Sequence, residues 1–264
     1  MGTIAVTGTA SGIGAATQAR LAGEGHRVIS VDRHEADVVC DLGSEPGRQF
    51  AIERINALSD GRLDGLVTCA GVGGFPHRRG AEVAAINYFG TAVLLSGLRP
   101  ALAASENASV VVISSNSSTA QPGWPEALAA ACLSGDETLA CTMADTFGPV
   151  LTYPATKAAI ARLVRRLAPG KDWIGSGIRL NAIAPGLIET ALAAEGRTDP
   201  DIARQLDAFP IPAGRPGTPE EVASLIAFLL GTESRFMCGS VIWLDGGTDA
   251  LLRPDDWPVP MQLA

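Results

Sequence analysis

The sequence predicts a single doubly wound α/β domain, a parallel sheet of seven strands flanked by helices on both faces. Short β-rich runs alternate with helical stretches almost from end to end, the pattern of a parallel sheet rather than of separate α and β domains. A glycine-rich segment follows directly on the first run and opens the first helical stretch, as phosphate-binding turns do in such sheets. The 264 residues show no internal repeat and no low-complexity linker, and a chain of that length fits one core.

The predicted strands are Thr3–Thr7, Arg27–Val31, Val38–Cys40, Leu66–Cys69, Ser109–Ser114, Ile178–Ile183 and Val241–Leu244. Helices are predicted to begin near Gly12, Glu45, Ala81, Pro154 and Thr218. The last has the clearest start, because Thr218 can cap, Pro219 suits the first helical position and Glu220 and Glu221 place acid in the first turn. Two segments interrupt the alternation. Thr119–Thr152 is too long for a simple strand-to-helix connection. Pro122-Gly123 and Pro125 punctuate its start, and Glu126–Cys132 and Asp136–Thr146 then read as helices, so residues 119–152 are expected to be an inserted helical subdomain. The ending, Arg253–Ala264, carries Pro254, Pro258 and Pro260 beside Trp257 and reads as a tail, either loose or packed as an extended arm on a neighbour.

Composition narrows the function classes. The chain is 47% hydrophobic and 18% charged with no uninterrupted apolar run of about 18 residues, which favours a soluble globule over a membrane span. Its start lacks a basic region of the secretory type, so a cytoplasmic location is expected. A formal charge of −8 argues against a nucleic-acid partner, and the densest basic group, Arg162, Arg165 and Arg166, reads as a solvated helix face. Cys40, Cys69, Cys132, Cys141 and Cys238 have neither C-x-x-C spacing nor nearby histidines. His26, His34 and His77 form no ligand spacing either, so no metal is expected.

The segment Thr7-Gly8-Thr9-Ala10-Ser11-Gly12-Ile13-Gly14 carries the nucleotide-binding pattern. Gly8 permits the tight turn, Gly12 lets the backbone approach a pyrophosphate, and Gly14 lets helix and sheet pack closely. The helix start beyond Ser11 and Ile13 would face the phosphates with free N–H groups and a partial positive charge. Asp32 ends the second strand, eighteen residues after Gly14. A carboxylate there accepts hydrogen bonds from a ribose 2′-hydroxyl and repels a 2′-phosphate, which favours NAD over NADP. Arg33 beside it keeps NADP or dual use open, because a guanidinium takes phosphate well.

Tyr153-Pro-Ala-Thr-Lys157 places a phenol and an ammonium one helical turn apart. Free tyrosine titrates near pH ~10, so proton transfer at neutral pH needs a nearby positive charge. Lys157 is the candidate, with Pro154 setting Tyr153 at the start of its helix.

With strand, glycine loop, Asp32 and Tyr153-x-x-x-Lys157 in that order, the sequence resembles the short-chain dehydrogenase/reductase family over nearly its whole length. The resemblance implies a Rossmann-type fold and further site residues. Asp41-Leu42 matches the pair that meets the adenine. Cys69-Ala70-Gly71 matches the Asn-Ala-Gly motif after the fourth strand, with Cys69 in place of the asparagine that steadies the sheet; a buried, inert thiol is the expectation there, a reactive one the alternative. Asn87 matches the catalytic asparagine, and Val111-Val112-Ile113-Ser114-Ser115 the strand that delivers the catalytic serine, with Ser115 favoured over Ser114. Pro185-Gly186-Leu187-Ile188-Glu189-Thr190 matches the segment that meets the nicotinamide carboxamide through the Ile188 backbone and the Thr190 hydroxyl.

The chemistry so implied is interconversion of a secondary alcohol and a ketone. Tyr153 takes or gives the substrate proton, Ser115 holds the substrate oxygen, Lys157 lowers the Tyr153 pKa and bonds the nicotinamide ribose, and Asn87 holds a water in the proton path. Two other classes stay open: a non-catalytic NAD-binding regulatory protein, and an epimerase or dehydratase that uses bound NAD transiently.

A narrower resemblance, to bacterial 3α-hydroxysteroid dehydrogenase/carbonyl reductases, rests on Gly65-Leu66-Val67 with Cys69-Ala70-Gly71, Asn87-Tyr88-Phe89-Gly90, the long insert, and Asp245-Gly246-Gly247 followed by Asp249-Ala250-Leu251 and Arg253. It implies a hydrophobic steroid or other carbonyl substrate. Leu187, Ile188, Ala191, Leu192 and Phe209 suit such a ligand and equally suit a plain packed loop. Family members commonly associate through the helix bearing the tyrosine and lysine. An insert directly ahead of that helix predicts a homo-oligomer, a dimer, built on another surface, or else an insert that lies over the substrate mouth.

Overall fold

The computed structural model describes residues 1–256; the part of the expected tail from Trp257 to Ala264 lies outside the described residues. In chain order the elements are β1 (Thr3–Thr7), α1 (Gly12–Gly23), β2 (Arg27–Asp32), β3 (Val38–Val39), α2 (Glu45–Leu58), β4 (Gly65–Thr68), α3 (Gly80–Ala84), α4 (Gly90–Ala103), β5 (Ser109–Ile113), α5 (Ser117–Ala120), α6 (Glu126–Ser134), α7 (Glu137–Phe147), α8 (Pro149–Leu167), β6 (Arg179–Pro185), α9 (Ala191–Gly196), α10 (Pro200–Ala208), α11 (Pro219–Leu230), β7 (Val241–Leu244) and α12 (Thr248–Leu252). The seven strands form one sheet in the order β3-β2-β1-β4-β5-β6-β7, every pair parallel. Strand order reverses between β1 and β4, so their carboxyl ends frame the crevice where such sheets bind ligands.

Side chains alternate across the sheet as the pleat requires. Ala5, Leu66, Val110, Val112, Leu180 and Ala182 join the layer that includes residues of α2, α4 and α8. Ile4, Val6, Val67, Val111, Ile113 and Ile183 join the layer built with Leu21 of α1 and Val222, Ile226 and Leu229 of α11. Central strands buried on both faces explain why β4 and β5 read as continuous apolar runs. Thr218 opens α11 with a complete capping box: its side chain accepts from the Glu221 N–H, and the Glu221 carboxylate accepts from the Thr218 N–H at 2.8 Å.

The stretch Gly80–Ala103 runs as 24 helical residues, long and apolar enough to cross a membrane by length and composition alone. It is instead packed in the sheet's helical layer, with Leu94, Leu95 and Leu98 fully buried. A wide π-type turn, Ala85–Phe89, divides it into α3 and α4, a feature that often accompanies functional sites.

The segment expected as a separate insert folds as α5, α6 and α7 laid on the main fold. α7 packs on α3 and α6 on α8. Gly80 allows the first contact, since a Cβ there would overlap the Ala144 carbonyl. Arg48 of α2, almost fully buried, donates to Glu137 of α7 at 2.6 Å and ties the insert to the sheet layer. Arg162 is not a purely solvated residue: it pairs with Glu126 at 2.5 Å and lies over the Trp124 ring.

Candidate active site

The glycine loop leaves β1 at Gly8 (φ 74°) and enters α1 through Gly12 (φ 53°), two left-handed positions that favour glycine. A Cβ on Gly14 would collide with the Gly8 carbonyl, and one on Gly8 would lie 2.7 Å from the Ala70 nitrogen. The Thr7 hydroxyl accepts from that Ala70 N–H at 3.0 Å, so the glycine loop and Cys69-Ala70-Gly71 are joined side by side. Ser11 precedes α1 in extended conformation and makes no side-chain cap, which leaves the first-turn N–H groups facing outward for an anion. Asp32 is anchored at the end of β2, its Oδ2 accepting from Ala10 N–H at 3.0 Å and its Oδ1 from His34 N–H at 3.1 Å. Beyond it opens a hollow of about 800 Å³ lined by Gln18, Ser30, His34, Glu35 and Asp37. Such a cradle fits a dinucleotide pyrophosphate and a ribose diol, and its acidic wall disfavours an added phosphate.

Asp41 is exposed and accepts from Gly43 N–H at 2.9 Å, whereas Leu42 is buried and its carbonyl accepts from Arg48 at 3.3 Å. Cys69 sits at the end of β4, where burial pushes its thiol up to about 12. A thiol held so far above neutrality is an inert one.

The two serines after β5 part company. Ser114 is buried and donates to the Lys157 carbonyl at 2.8 Å, a structural tie between strand and helix. Ser115 instead faces the Tyr153 phenol closely enough to favour its charged form, and its Oγ accepts from Ser117 N–H at 3.1 Å. The helix bearing Tyr153 begins earlier than expected, at Pro149 rather than Pro154. Gly148 (φ 79°) and Pro149 form the start signal, a combination of free backbone and pre-set φ that outweighs the second proline. Pro154 lies inside the helix and cannot donate to the Val150 carbonyl, which accepts from Gln121 Nε2 at 3.2 Å instead.

Burial raises the Tyr153 pKa, and the nearby Ser115 hydroxyl opposes it. Lys157 is buried as well, and desolvation brings its ammonium down to about 8. Its Nζ donates to the Ile113 carbonyl at 2.9 Å and lies 5.8 Å from the centre of the Tyr153 ring. In this arrangement dehydration of the phenol outweighs the influences that favour its charged form.

Asn87, in the wide turn, is 1% exposed and spends its amide on one residue: Oδ1 accepts from Val72 N–H at 2.8 Å and Nδ2 donates to the Val72 carbonyl at 2.9 Å. Gly71 lies against both Asn87 and Lys157, with 3.2 Å from its would-be Cβ to Asn87 Oδ1 and 3.7 Å to Lys157 Nζ. Sequence reasoning missed Gly74, whose would-be Cβ meets Tyr153 Cβ at 2.6 Å and the Pro149 carbonyl. The doublet Gly73-Gly74 after a strand is the signal that marks such a close backbone approach.

Across the crevice, Gly186 has no room for a Cβ beside Asp245, and Pro185 closes β6. Ile188 is buried and Thr190 caps α9, its hydroxyl oxygen accepting from Ala193 N–H at 3.3 Å. Thr190 Cγ2 comes within 3.2 Å of a would-be Gly12 Cβ, so this segment sits over the glycine loop. Between them is a cavity of about 590 Å³ lined by Gly12, Ala15, Ala16, Leu187, Ile188 and Thr190, among others. Asn87, Ser115, Tyr153 and Lys157 thus gather on one side, and the glycine loop and Asp32 are joined on the other.

Two family models match the chain, one described as short chain dehydrogenase over residues 2–131 and one as enoyl-(acyl carrier protein) reductase over residues 138–249. A 3-alpha-hydroxysteroid dehydrogenase/carbonyl reductase of Comamonas testosteroni is 38% identical over 257 residues, 96% of this chain and 99% of that relative. The crystal structure of the 3-alpha-hydroxysteroid dehydrogenase from Pseudomonas sp. B-0831 complexed with NADH is similar at a TM-score of 0.92 and 42% identity, covering 97% of this chain and 100% of that one. The ligand-free aldohexose dehydrogenase of Thermoplasma acidophilum is more distant, with a TM-score of 0.71 and 25% identity over 99% of this chain and 97% of that one. On these matches and the geometry above, the chain belongs to the short-chain dehydrogenase/reductase family of oxidoreductases acting on CH–OH groups.

Proposed function

We propose that the chain interconverts a secondary alcohol and a ketone with NAD(H), and that its substrate is a hydrophobic carbonyl compound of the hydroxysteroid type. One observation carries the chemistry: the Tyr153 phenol is gathered with Ser115, whose hydroxyl acts on its pKa, and with the Lys157 ammonium, 5.8 Å from its ring centre and one turn along the same helix. The glycine loop and Asp32 would hold the dinucleotide, with Asp41 and Leu42 toward the adenine and Ile188 and Thr190 toward the carboxamide. When bound, NAD(H) supplies or accepts the hydride.

The residues themselves manage the proton. Burial keeps the phenol protonated at neutral pH, so Tyr153 stands ready as the acid for ketone reduction. Ser115 donates to the developing alkoxide, a contribution worth roughly 3 kcal/mol for one such donor. Oxidation runs the same path in reverse and gains with rising pH as the phenolate becomes accessible. Asn87, its side chain committed to Val72, would hold a water through its main chain. The steroid reading is supported by the names of the Comamonas and Pseudomonas relatives and by the apolar residues Leu187 and Ile188 of the crevice.

NADH absorbance with 3α- and 3β-hydroxysteroids, simple secondary alcohols and sugar alcohols tests the substrate; a clear preference for polyols overturns the steroid reading. A higher kcat/KM with NADP than with NAD overturns the role of Asp32. Tyr153→Phe is expected to lower kcat by ~10²–10⁴ while NADH affinity, followed by fluorescence, stays at its wild-type value. Substantial residual turnover would remove Tyr153 from its assigned role.

A further inference from the structure

The segment between Thr190 and Phe209 is fastened at its ends and nearly free in its middle. At one end Ile188 bridges Gly217, with the Gly217 N–H donating to the Leu187 carbonyl at 2.9 Å. At the other, the Thr248 hydroxyl donates to the Pro210 carbonyl at 2.8 Å and Ala213 N–H donates to the Gly246 carbonyl at 3.0 Å. Between these anchors lie α9 and α10, linked to each other by Arg197 and Asp207. Among the described residues, neither helix packs extensively along another helix or strand. Two features hold this flap down. Gly196 abuts the Phe75 ring, with 2.8 Å from its would-be Cβ to Cε1, and Glu195 accepts from both Arg78 at 2.6 Å and His77 at 3.0 Å.

The donor side of this contact is rigid. Gly74 is pressed against Tyr153 and Pro149, Arg79 pairs with Asp145 of α7, and the Ala81 N–H donates to the same carboxylate at 2.9 Å. Arg78 projects from that fixed loop with only 16% of its side chain exposed, and Glu82 accepts from its other terminal nitrogen at 2.7 Å. His77 is held by stacking on Phe75. The loop that carries Arg78 is thus the one that touches Tyr153, and through Glu195 it grips the flap.

We propose that Arg78 is a positioning residue that clasps Glu195, with His77 as second donor, and so holds the flap closed beside Tyr153 while substrate is bound. The clasp rests on the Tyr153–Ser115 reading for its kinetic consequence alone. Loss of the clasp lowers the fraction of chains in the closed, binding-competent form, and apparent substrate affinity falls with that fraction. The cofactor's contacts on the glycine loop and Asp32 lie outside the flap, and Ile188 and Thr190, toward the carboxamide, lie at its fastened end, so cofactor affinity depends far less on the clasp.

Arg78→Met, Glu195→Gln and their combination are compared with wild type. Each single variant is expected to raise the substrate KM ~10-fold, equivalent to ~1.4 kcal/mol, with kcat and NADH affinity near wild type. The double variant should be no worse than either single one, the mark of two residues acting through one contact. Arg78→Lys, which keeps the charge, should recover part of the affinity. Trypsin should cut after Arg197 and Arg204 faster in both single variants. Additive effects on KM, or flap cleavage at the wild-type rate in Glu195→Gln, overturn the clasp. Should Arg78→Met fail to fold, Glu195→Gln, which alters a partly exposed carboxylate, decides the matter alone. Faster flap cleavage in variants of a protein that turns over no alcohol would leave the clasp standing and remove the proposed function.

Discussion

Lys157 meets two opposed demands, since an ammonium there can bias Tyr153 only while charged, and its enclosure works against that charge. Desolvation lowers its pKa from 10.5 to about 8. The unfolded chain therefore binds the proton more tightly than the folded one, and stability contributed through this residue rises with pH between about 8 and 10.5. Denaturant melts of wild type and Lys157→Met should show the wild type gaining on the variant across that window, by roughly 3 kcal/mol in all; a flat difference would mean that Lys157 is not buried as a charge. At this scale the sequence was informative about types and spacing. Tyr153, Lys157 and the choice of Ser115 over Ser114 were legible because they depend on positions along a strand or a helix. The Ile113 carbonyl that holds Lys157, the Val72 backbone that occupies Asn87 and the Arg78–Glu195 contact were not, because each joins residues that only the folded chain brings together.

Among elements, the contact between α3 and α7 depends on an absent side chain. A methyl group at Gly80 would overlap the Ala144 backbone, and backbone cannot yield as a flexible side chain does. Gly80→Ala is expected to lower stability by about 1–3 kcal/mol, read as a lower denaturation midpoint at unchanged slope; a neutral substitution would show that α7 is not docked as described. The strands were readable to within two residues because apolar β-branched runs fit no other part of this fold. α9 and α10 escaped notice, although Asp199-Pro200 is a start signal: Asp199 accepts from Asp201 N–H at 2.8 Å and from Ile202 N–H at 3.2 Å. α9 is too short to show a period, and in α10 the apolar face, Ile202 and Leu206 one turn apart, spans only nine residues.

Over the whole molecule, the insert determines which surfaces remain available. α6 lies on α8, and the pair Arg162–Glu126 with Trp124 covers part of the outer face of the Tyr153 helix. A helix-to-helix interface between two copies of α8 is therefore expected to be obstructed. Exposed Phe228 on α11 and Phe236 before β7 offer another. Light scattering is expected to give a dimer; a tetramer joined through α8 would overturn this expectation. The two family models meet within the insert, one ending at residue 131 and the other beginning at 138.

Asn87 has a consequence that reaches beyond its own position. Its amide fastens Val72, and from Val72 the same short loop runs past Gly74 under Tyr153, past Arg78 to the flap, and past Arg79 to the insert. A change at Asn87 would be pleiotropic, shifting proton transfer, flap closure and the seating of α7 together. Three separated regions of the fold thereby share one fastening, a single carboxamide.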